Sequence, residues 1–149
     1  MSYHRTIHFA DTDAAGVIYF ASLLSICHEA YEDALAKAGI NLSQFFAGKI
    51  LGGQTADRRP VIVPIVHAEI DFRRPLHCGE DVTIELFWQA EVEHEMTQEV
   101  SEFAIVYTII HNSTDKVAAR AMTRHVCVDR HTRQRLALPM ELERCMCQA

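Results

Sequence analysis

The sequence predicts an α+β domain in which an antiparallel sheet wraps around one long helix. Two observations support this prediction: a strongly apolar segment with helical spacing follows an N-terminal strand, and four long strand-like segments come after it. A chain of 149 residues with 49% hydrophobic residues has the size of one domain with one core. We therefore expect residues 1–149 to form a single domain.

The first two elements are a strand over Tyr3 to Phe9 and a helix that begins just after Phe20. The helix is predicted because its apolar residues recur at intervals of three and four. These residues are Leu23, Leu24, Cys27, Tyr31, Ala34, Leu35 and Ala38. Gly39 is expected to end the helix as its C′ residue. A short helical turn over Asn41 to Phe46 and a loop over Lys49 to Pro60 should follow.

From Pro64 the apolar spacing changes from helical to alternating, which predicts a strand that ends at Phe72. Its two predicted faces are Val66, Ala68, Ile70 and Phe72 on one side, and Ile65, His67, Glu69 and Asp71 on the other. Turn residues over Arg73 to Glu80 separate it from a second alternating strand over Val82 to Val92.

Two further strands complete the predicted sheet. The first runs from around Val100 to His111 after a turn at Glu93 to Glu95, and its apolar residues on both faces predict a central position. The second runs over Val117 to Val128, and beyond Asp129 we expect an irregular, charged tail that ends in a short helix. Such a sheet leaves an edge and a face partly apolar, which favours a homodimer built on the sheet edge or on the helix.

Composition excludes several classes of function. The formal net charge of −6 argues against nucleic acid or an anionic membrane surface as a general partner. No segment is long or apolar enough to span a bilayer, and no signal peptide follows Met1, so we expect a cytoplasmic protein. The 5 cysteines form an odd set without a CxxC pair, which is typical of free thiols in a reducing compartment. The 9 histidines show no metal-binding spacing, so we expect no metal.

The segment Ala10 to Phe20 places Asp11, Asp13 and Gly16 between the first strand and the helix. Such a segment can set a carboxylate beside the positive end of a helix, where the oxyanion formed on a carbonyl is stabilised. The same acids could instead accept backbone hydrogen bonds as caps. A calcium loop is disfavoured because apolar residues follow where oxygen ligands would be needed. The motif indicates a candidate hydrolase site.

The segment Phe9 to Phe20 resembles the active-site signature of hotdog-fold acyl-CoA thioesterases of the 4-hydroxybenzoyl-CoA thioesterase type. The resemblance continues at Pro64-Ile65-Val66 and at Arg74-Pro75 before Gly79-Glu80. It is closer to the cyanobacterial 1,4-dihydroxy-2-naphthoyl-CoA hydrolases. The matching blocks are Ala10 to Asp13, Val17 to Phe20, Cys27 to Glu32, Val66 to Ala68, Ile70 to Phe72, and Pro75 with His77-Cys78-Gly79.

The resemblance implies a hotdog fold, no cofactor, and hydrolysis of an aromatic acyl-CoA, here 1,4-dihydroxy-2-naphthoyl-CoA in phylloquinone synthesis. It also implies a site shared by two subunits of a homodimer, with pairs of dimers forming a homotetramer. The family's catalytic acid falls on Asp13 and its oxyanion-binding amide falls near Phe20. Asp13 then either attacks the thioester carbonyl or deprotonates water. Asp11 is expected to act as a cap or loop acceptor.

Further residues are candidates for binding the substrate. Gly16 would let the backbone approach the ligand without a Cβ. Val17, Tyr19 and His67 are substrate-binding candidates, although Tyr19 could equally be core and His67 a structural histidine. The CoA phosphates could be held by arginines. The candidates are Arg73 and Arg74, with Arg58, Arg59, Arg120 and Arg124 as alternatives. His28 flanks the apolar face of the predicted helix and is expected to serve packing rather than chemistry.

The sequence is also compatible with two other functions. The same chemistry could act on another aryl or aliphatic acyl-CoA or on acyl carrier protein, in which case the depth of the pocket would differ. A non-catalytic hotdog module could also bind acyl groups, but such a module has no need for an acid at Asp13.

Overall fold

A computed structural model describes residues 1–47, 61–90 and 101–147 of the chain. The strands are β1 (Ser2–Thr6), β2 (Val61–Ile62), β3 (Ile65–Phe72), β4 (Asp81–Ala90), β5 (Glu102–His111), β6 (Lys116–Val126) and β7 (Val128–Asp129). The helices are α1 (Phe20–Lys37), α2 (Leu42–Phe46) and α3 (Met140–Cys147). Five strands form one antiparallel sheet in the order β1-β4-β5-β6-β3, with α1 in the same hydrophobic core. The predicted α+β class is confirmed.

Helix α1 begins one residue earlier than predicted, at Phe20, and its apolar side lies in the core. Its fully enclosed residues are Leu23, Ile26, Cys27, Ala30, Tyr31, Ala34 and Leu35. Gly39 follows the helix with φ +85°, a conformation that costs glycine little, so its predicted C′ role is confirmed. Of the described helices, none is both long and apolar enough to cross a membrane.

Strand β1 ends earlier than the sequence predicts, and its predicted extension to Phe9 is wrong. Ile7 leaves the ladder and exchanges backbone hydrogen bonds with Gly79 and Glu80 in the turn before β4. Phe9–Asp11 then forms a single 3₁₀ turn, and Phe9 is 82% exposed. The carboxylate of Asp11 accepts a hydrogen bond from the His8 amide and thereby stabilises this turn.

Strand β3 forms one edge of the sheet and pairs only with β6 among the described strands. Ile65 pairs with His125, whereas His67 pairs with Arg124, so Val66 is an extra residue in a β-bulge. Because paired residues share a face, Ile65 lies on the same side as buried His125. The predicted grouping of Ile65 with His67 is therefore wrong.

The central position predicted for β5 is confirmed, since β5 lies between β4 and β6. Its inner face contributes four buried side chains, Phe103, Ile105, Tyr107 and Ile109, to the core. The last predicted strand is divided: β6 ends at Val126, and β7 pairs with β2 in a small second sheet. The short terminal helix, α3, is present. The predicted loop over Lys49 to Pro60 and the predicted turn at Glu93 to Glu95 lie outside the described residues.

Candidate active site

Asp13 lies in a tight turn that is closed by its own backbone and carboxylate. The Asp13 amide donates to the Val17 carbonyl at 2.9 Å, and the Gly16 amide donates to the Asp13 carbonyl at 3.0 Å. The Ala15 amide donates to Asp13 Oδ1 at 2.8 Å. Gly16 has φ +76°, a value that side chains disfavour, so this turn favours glycine at that position. The turn holds Asp13 at the surface.

The turn is anchored at both ends before it enters α1. The Tyr19 amide donates to the Asp11 carbonyl at 2.8 Å, and Thr12 forms a β-bridge with Ile18. The Ile18 amide donates to the carbonyl of buried Leu76, also at 2.8 Å. The loop that carries Asp13 is thus tied to the turn that follows β3.

Asp11 has a different environment, because its carboxylate is paired inside the chain. Its two oxygens lie 3.1 and 3.2 Å from Arg5 Nη2, and one of them accepts the His8 amide at 2.8 Å. Arg5 Nε lies 3.1 Å from Glu29 of α1, which also accepts a hydrogen bond from the Tyr3 hydroxyl. Burial and the neighbouring Glu29 raise the pKa of Tyr3. Asp11 therefore joins β1 to the loop, as expected of a loop acceptor.

The N-terminus of α1 offers amides without a side-chain cap. Tyr19 is the N-cap residue, its side chain accepts no hydrogen bond, and the first turn contains no acid. The first amides of a helix have no partner within it, and the Phe20 amide, at the positive end of an 18-residue helix, has no hydrogen-bond acceptor in the described part of the chain. The rings of Tyr19 and Phe20 meet edge to face at 4.7 Å and are 44% and 53% exposed. One loop thus joins an exposed carboxylate to an uncapped helix end.

Of the other predicted binding residues, one lies in this loop and one lies on β3. Val17 belongs to the Asp13 turn itself. His67 pairs in register with Arg124, on the sheet face opposite to the side of Ile65, and its Nε2 lies 3.3 Å from Glu69. Among the described residues, the side-chain partner of His67 is Glu69, and no hydrogen bond or ion pair joins His67 to the Asp13 turn.

The two arginines that were predicted to hold CoA open the turn after β3. The amides of Arg73 and Arg74 both donate to the Ala118 carbonyl. The side chain of Arg73 is paired with Asp71 at 2.9 Å, and that of Arg74 donates to the Val117 carbonyl. Both arginines are exposed and belong to the same turn as Leu76, which binds Ile18.

Sequence reasoning missed a cavity of about 430 Å³ between α1 and β3. We call it the helix-edge cavity; its α1 side includes Leu24, Ser25 and His28, and its sheet side includes Ile65, Ala68, Tyr107 and Thr123. A signal for it existed in the sequence, because Thr123 and His125 put polar groups on the inner face of a strand that otherwise contributes alanines there. Within the described ranges, no cluster of three or more His, Cys, Asp or Glu side chains is arranged to hold a metal ion.

Known proteins are similar to this chain over most of its length. The family model of the thioesterase-like superfamily matches residues 7–145. A 1,4-dihydroxy-2-naphthoyl-CoA hydrolase of Crocosphaera subtropica is 44% identical over 143 residues, which is 95% of this chain and 92% of the relative. The enzyme of the same name from Synechococcus elongatus is 48% identical over 141 residues, covering 95% and 90%. The crystal structure of a 1,4-dihydroxy-2-naphthoyl-CoA thioesterase from Synechocystis superposes with a TM-score of 0.81 at 33% identity, covering 98% and 94%.

Proposed function

This chain belongs to the thioesterase-like superfamily, and from that premise we propose that it hydrolyses 1,4-dihydroxy-2-naphthoyl-CoA to 1,4-dihydroxy-2-naphthoate and CoA. The single structural observation that carries the proposal is the exposed Asp13 carboxylate in the loop leading into the uncapped end of α1. The names of the relatives support the substrate. The reaction would serve phylloquinone synthesis in the cytoplasm, with residues 1–149 acting as one catalytic domain.

The chemistry requires one carboxylate and one oxyanion donor. The thioester oxygen accepts the Phe20 amide at the positive end of α1, which stabilises the charge that develops on it. Asp13 supplies either the nucleophile, which gives a mixed anhydride that water then cleaves, or the base that deprotonates the attacking water. In both routes the thiolate of CoA leaves and takes up a proton, and the acyl group leaves as a carboxylate. No cofactor takes part.

The remaining predicted contacts belong to substrate recognition. Gly16 has no side chain, so the ligand can approach the backbone of the Asp13 turn closely. Val17 and Tyr19 contact the acyl group, and His67 reaches it from a second subunit. Arg73 and Arg74 bind the CoA phosphates, for which the exposure of both side chains is suitable.

The proposal includes a homodimer built on the free edge of β3. Seven of the eight β3 residues are exposed, among them Ile65, Val66 and Phe72 at 40%, 54% and 42%. This long edge exposes apolar residues and has no second pairing strand within residues 1–47, 61–90 and 101–147. Such an edge favours pairing with another strand, and a second copy offers the same edge under two-fold symmetry. Pairs of such dimers then form the homotetramer.

Thiol release from a panel of CoA thioesters tests the activity. We expect the highest kcat/KM with 1,4-dihydroxy-2-naphthoyl-CoA, a lower value with 4-hydroxybenzoyl-CoA, and little release from aliphatic acyl-CoA or acyl carrier protein. A preference for an aliphatic thioester would contradict the substrate. Tight binding of every thioester without turnover would indicate an acyl-binding module instead.

Light scattering tests the assembly with a matched pair of variants. Val66→Lys adds a charge at the β3 edge and should yield inactive monomers, whereas Met140→Lys, at a residue 63% exposed on α3, should keep the mass and activity of the unmodified protein.

The shared site is tested by mixing Asp13→Asn chains with Arg73→Ala/Arg74→Ala chains. Partial recovery of activity in the mixture supports a shared site, and an active monomer would exclude it.

A further inference from the structure

The helix-edge cavity begins near the proposed oxyanion site and follows α1 away from it. Its first lining residue on α1, Leu24, lies four residues after Phe20, which is about 6 Å along the axis. The lining continues to Glu32, about 12 Å further. A volume of about 430 Å³ falls within the range of small-molecule sites. For a thioester carbonyl bound at the Phe20 amide, the cavity thus begins about one helical turn away along α1.

Several polar groups on the α1 side of the cavity already have partners within the chain. Ser25 donates its hydroxyl hydrogen to the Ala21 carbonyl at 3.1 Å. His28 Nε2 lies 3.4 Å from the Glu32 carboxylate. Glu29 is paired with Arg5 and Tyr3. The hydroxyl hydrogen of Ser25, Nε2 of His28 and one carboxylate oxygen of Glu29 are therefore already engaged within the chain.

The sheet side of the cavity ends in a buried chain of hydrogen bonds. His125 Nε2 lies 2.9 Å from Thr123 Oγ1, which lies 3.1 Å from the Tyr107 hydroxyl. All three residues are buried, with exposures of 1%, 6% and 1%, and both Tyr107 and Thr123 line the cavity. The ring of His125 stacks on Phe103 at 4.8 Å with an interplanar angle of 2°, which holds its orientation.

Which atoms donate in these two hydrogen bonds follows from Nδ1, the His125 ring nitrogen that does not face Thr123. Burial lowers the pKa of His125 to about 4, so at neutral pH the ring is neutral and carries one N–H. Nδ1 is buried and has no hydrogen-bond partner among the described residues. A buried N–H without an acceptor is rarer in proteins than an unused lone pair, so the hydrogen belongs on Nε2. His125 then donates to Thr123, and Thr123 donates to the Tyr107 oxygen.

We propose that Tyr107 is a specificity-determining donor whose hydroxyl hydrogen points into the helix-edge cavity and binds a ring oxygen of an aromatic acyl group. The inference rests on the proposed function and adds the residue that distinguishes an oxygenated aryl group from a bare one. Thr123 and His125 are positioning residues, because they occupy the acceptor side of the Tyr107 oxygen and leave its hydrogen for the ligand. Burial also raises the pKa of Tyr107, which keeps the hydroxyl protonated.

The test compares two substrates that differ in one hydroxyl group. 1,4-Dihydroxy-2-naphthoyl-CoA has a ring oxygen at position 4, and 1-hydroxy-2-naphthoyl-CoA lacks it. Tyr107→Phe removes the donor and keeps the ring, so we expect kcat/KM for the dihydroxy substrate to fall about tenfold and the value for the monohydroxy substrate to stay the same. The ratio of the two values separates recognition from a general structural effect.

Substitutions at Thr123 test the positioning role. Thr123→Val removes both hydrogen bonds at nearly constant volume and should reduce the preference for the dihydroxy substrate, whereas Thr123→Ser keeps the hydroxyl and should retain it. Equal losses on both substrates, or an unchanged ratio in Tyr107→Phe, would overturn the assignment of Tyr107 while leaving the hydrolase intact. If the unmodified protein releases CoA from neither naphthoyl thioester, the proposed function itself fails.

Discussion

Asp11 and Asp13 lie two residues apart in one loop, yet their surroundings are opposite. The Asp11 side chain is 14% exposed and pairs with Arg5 and with a backbone amide. Asp13 is exposed; one of its oxygens accepts the Ala15 amide, and the other has no partner among the described residues. A carboxylate whose oxygens are all engaged holds structure together, whereas one with a free oxygen remains able to react. This difference supports the proposed division of roles, in which Asp11 stabilises the loop and Asp13 carries out the chemistry.

Replacement of Asp13 by Asn should produce the largest effect on activity. The amide oxygen can still accept the Ala15 hydrogen bond, so the turn is preserved, but both the nucleophile and the base are lost. We expect turnover to fall about 1000-fold or more with little change in KM or in the melting temperature. Thiol release and thermal unfolding measure the two quantities. Near-normal turnover in a folded Asp13→Asn protein would remove Asp13 from the mechanism.

Replacement of Asp11 by Asn should have the reverse pattern. It removes the charge that faces Arg5 in a partly buried cluster, and we expect the free energy of unfolding to fall by about 1 to 3 kcal/mol. Turnover should stay within about tenfold of the original value, because the Asp11 carboxylate is already engaged by Arg5 and the His8 amide and has no proposed role in the reaction. Chemical denaturation and thiol release provide the comparison.

A surface ion pair on α1 serves as the control for Asp11. Asp33 pairs with Lys37 one helical turn away, and Asp33→Asn should cost less than about 1 kcal/mol because both groups are hydrated. Equal destabilisation by Asp11→Asn and Asp33→Asn would contradict the structural role of Asp11. A matching loss of rate in Asp11→Asn and Asp13→Asn would mean that the two acids act together.

The smallest expected effect is that of replacing the glycine in the Asp13 turn, compared with replacing a glycine in a second turn of similar backbone geometry. Gly16 and Gly39 have φ values of +76° and +85°, and a Cβ at either position would meet nothing within 4 Å. Alanine at either site should therefore cost about 1 kcal/mol through backbone strain alone. Only Gly16→Ala should also lower turnover, because only that turn carries Asp13. Equal turnover in the two variants would show that the turn geometry is unimportant for catalysis.

The sequence alone determined the features that depend on neighbouring residues. The spacing of apolar residues predicted α1 and the alternating strands, Gly39 marked the helix end, and the segment around Asp13 indicated the family and a candidate site. These features depend on local periodicity and local backbone preference, which a single chain segment already contains. The family comparisons agree with that assignment.

Only the tertiary structure decided features that depend on residues far apart in the chain. The bulge at Val66, which moves Ile65 to the inner face, is defined by pairing with β6. The partner of Asp11 is on β1, and the helix-edge cavity requires α1, β3, β5 and β6 together. Alternation along a strand does not reveal an extra residue in its ladder, and a carboxylate's partner cannot be identified before the strands are assembled. The contrast between Asp11 and Asp13 therefore arises only in the folded chain.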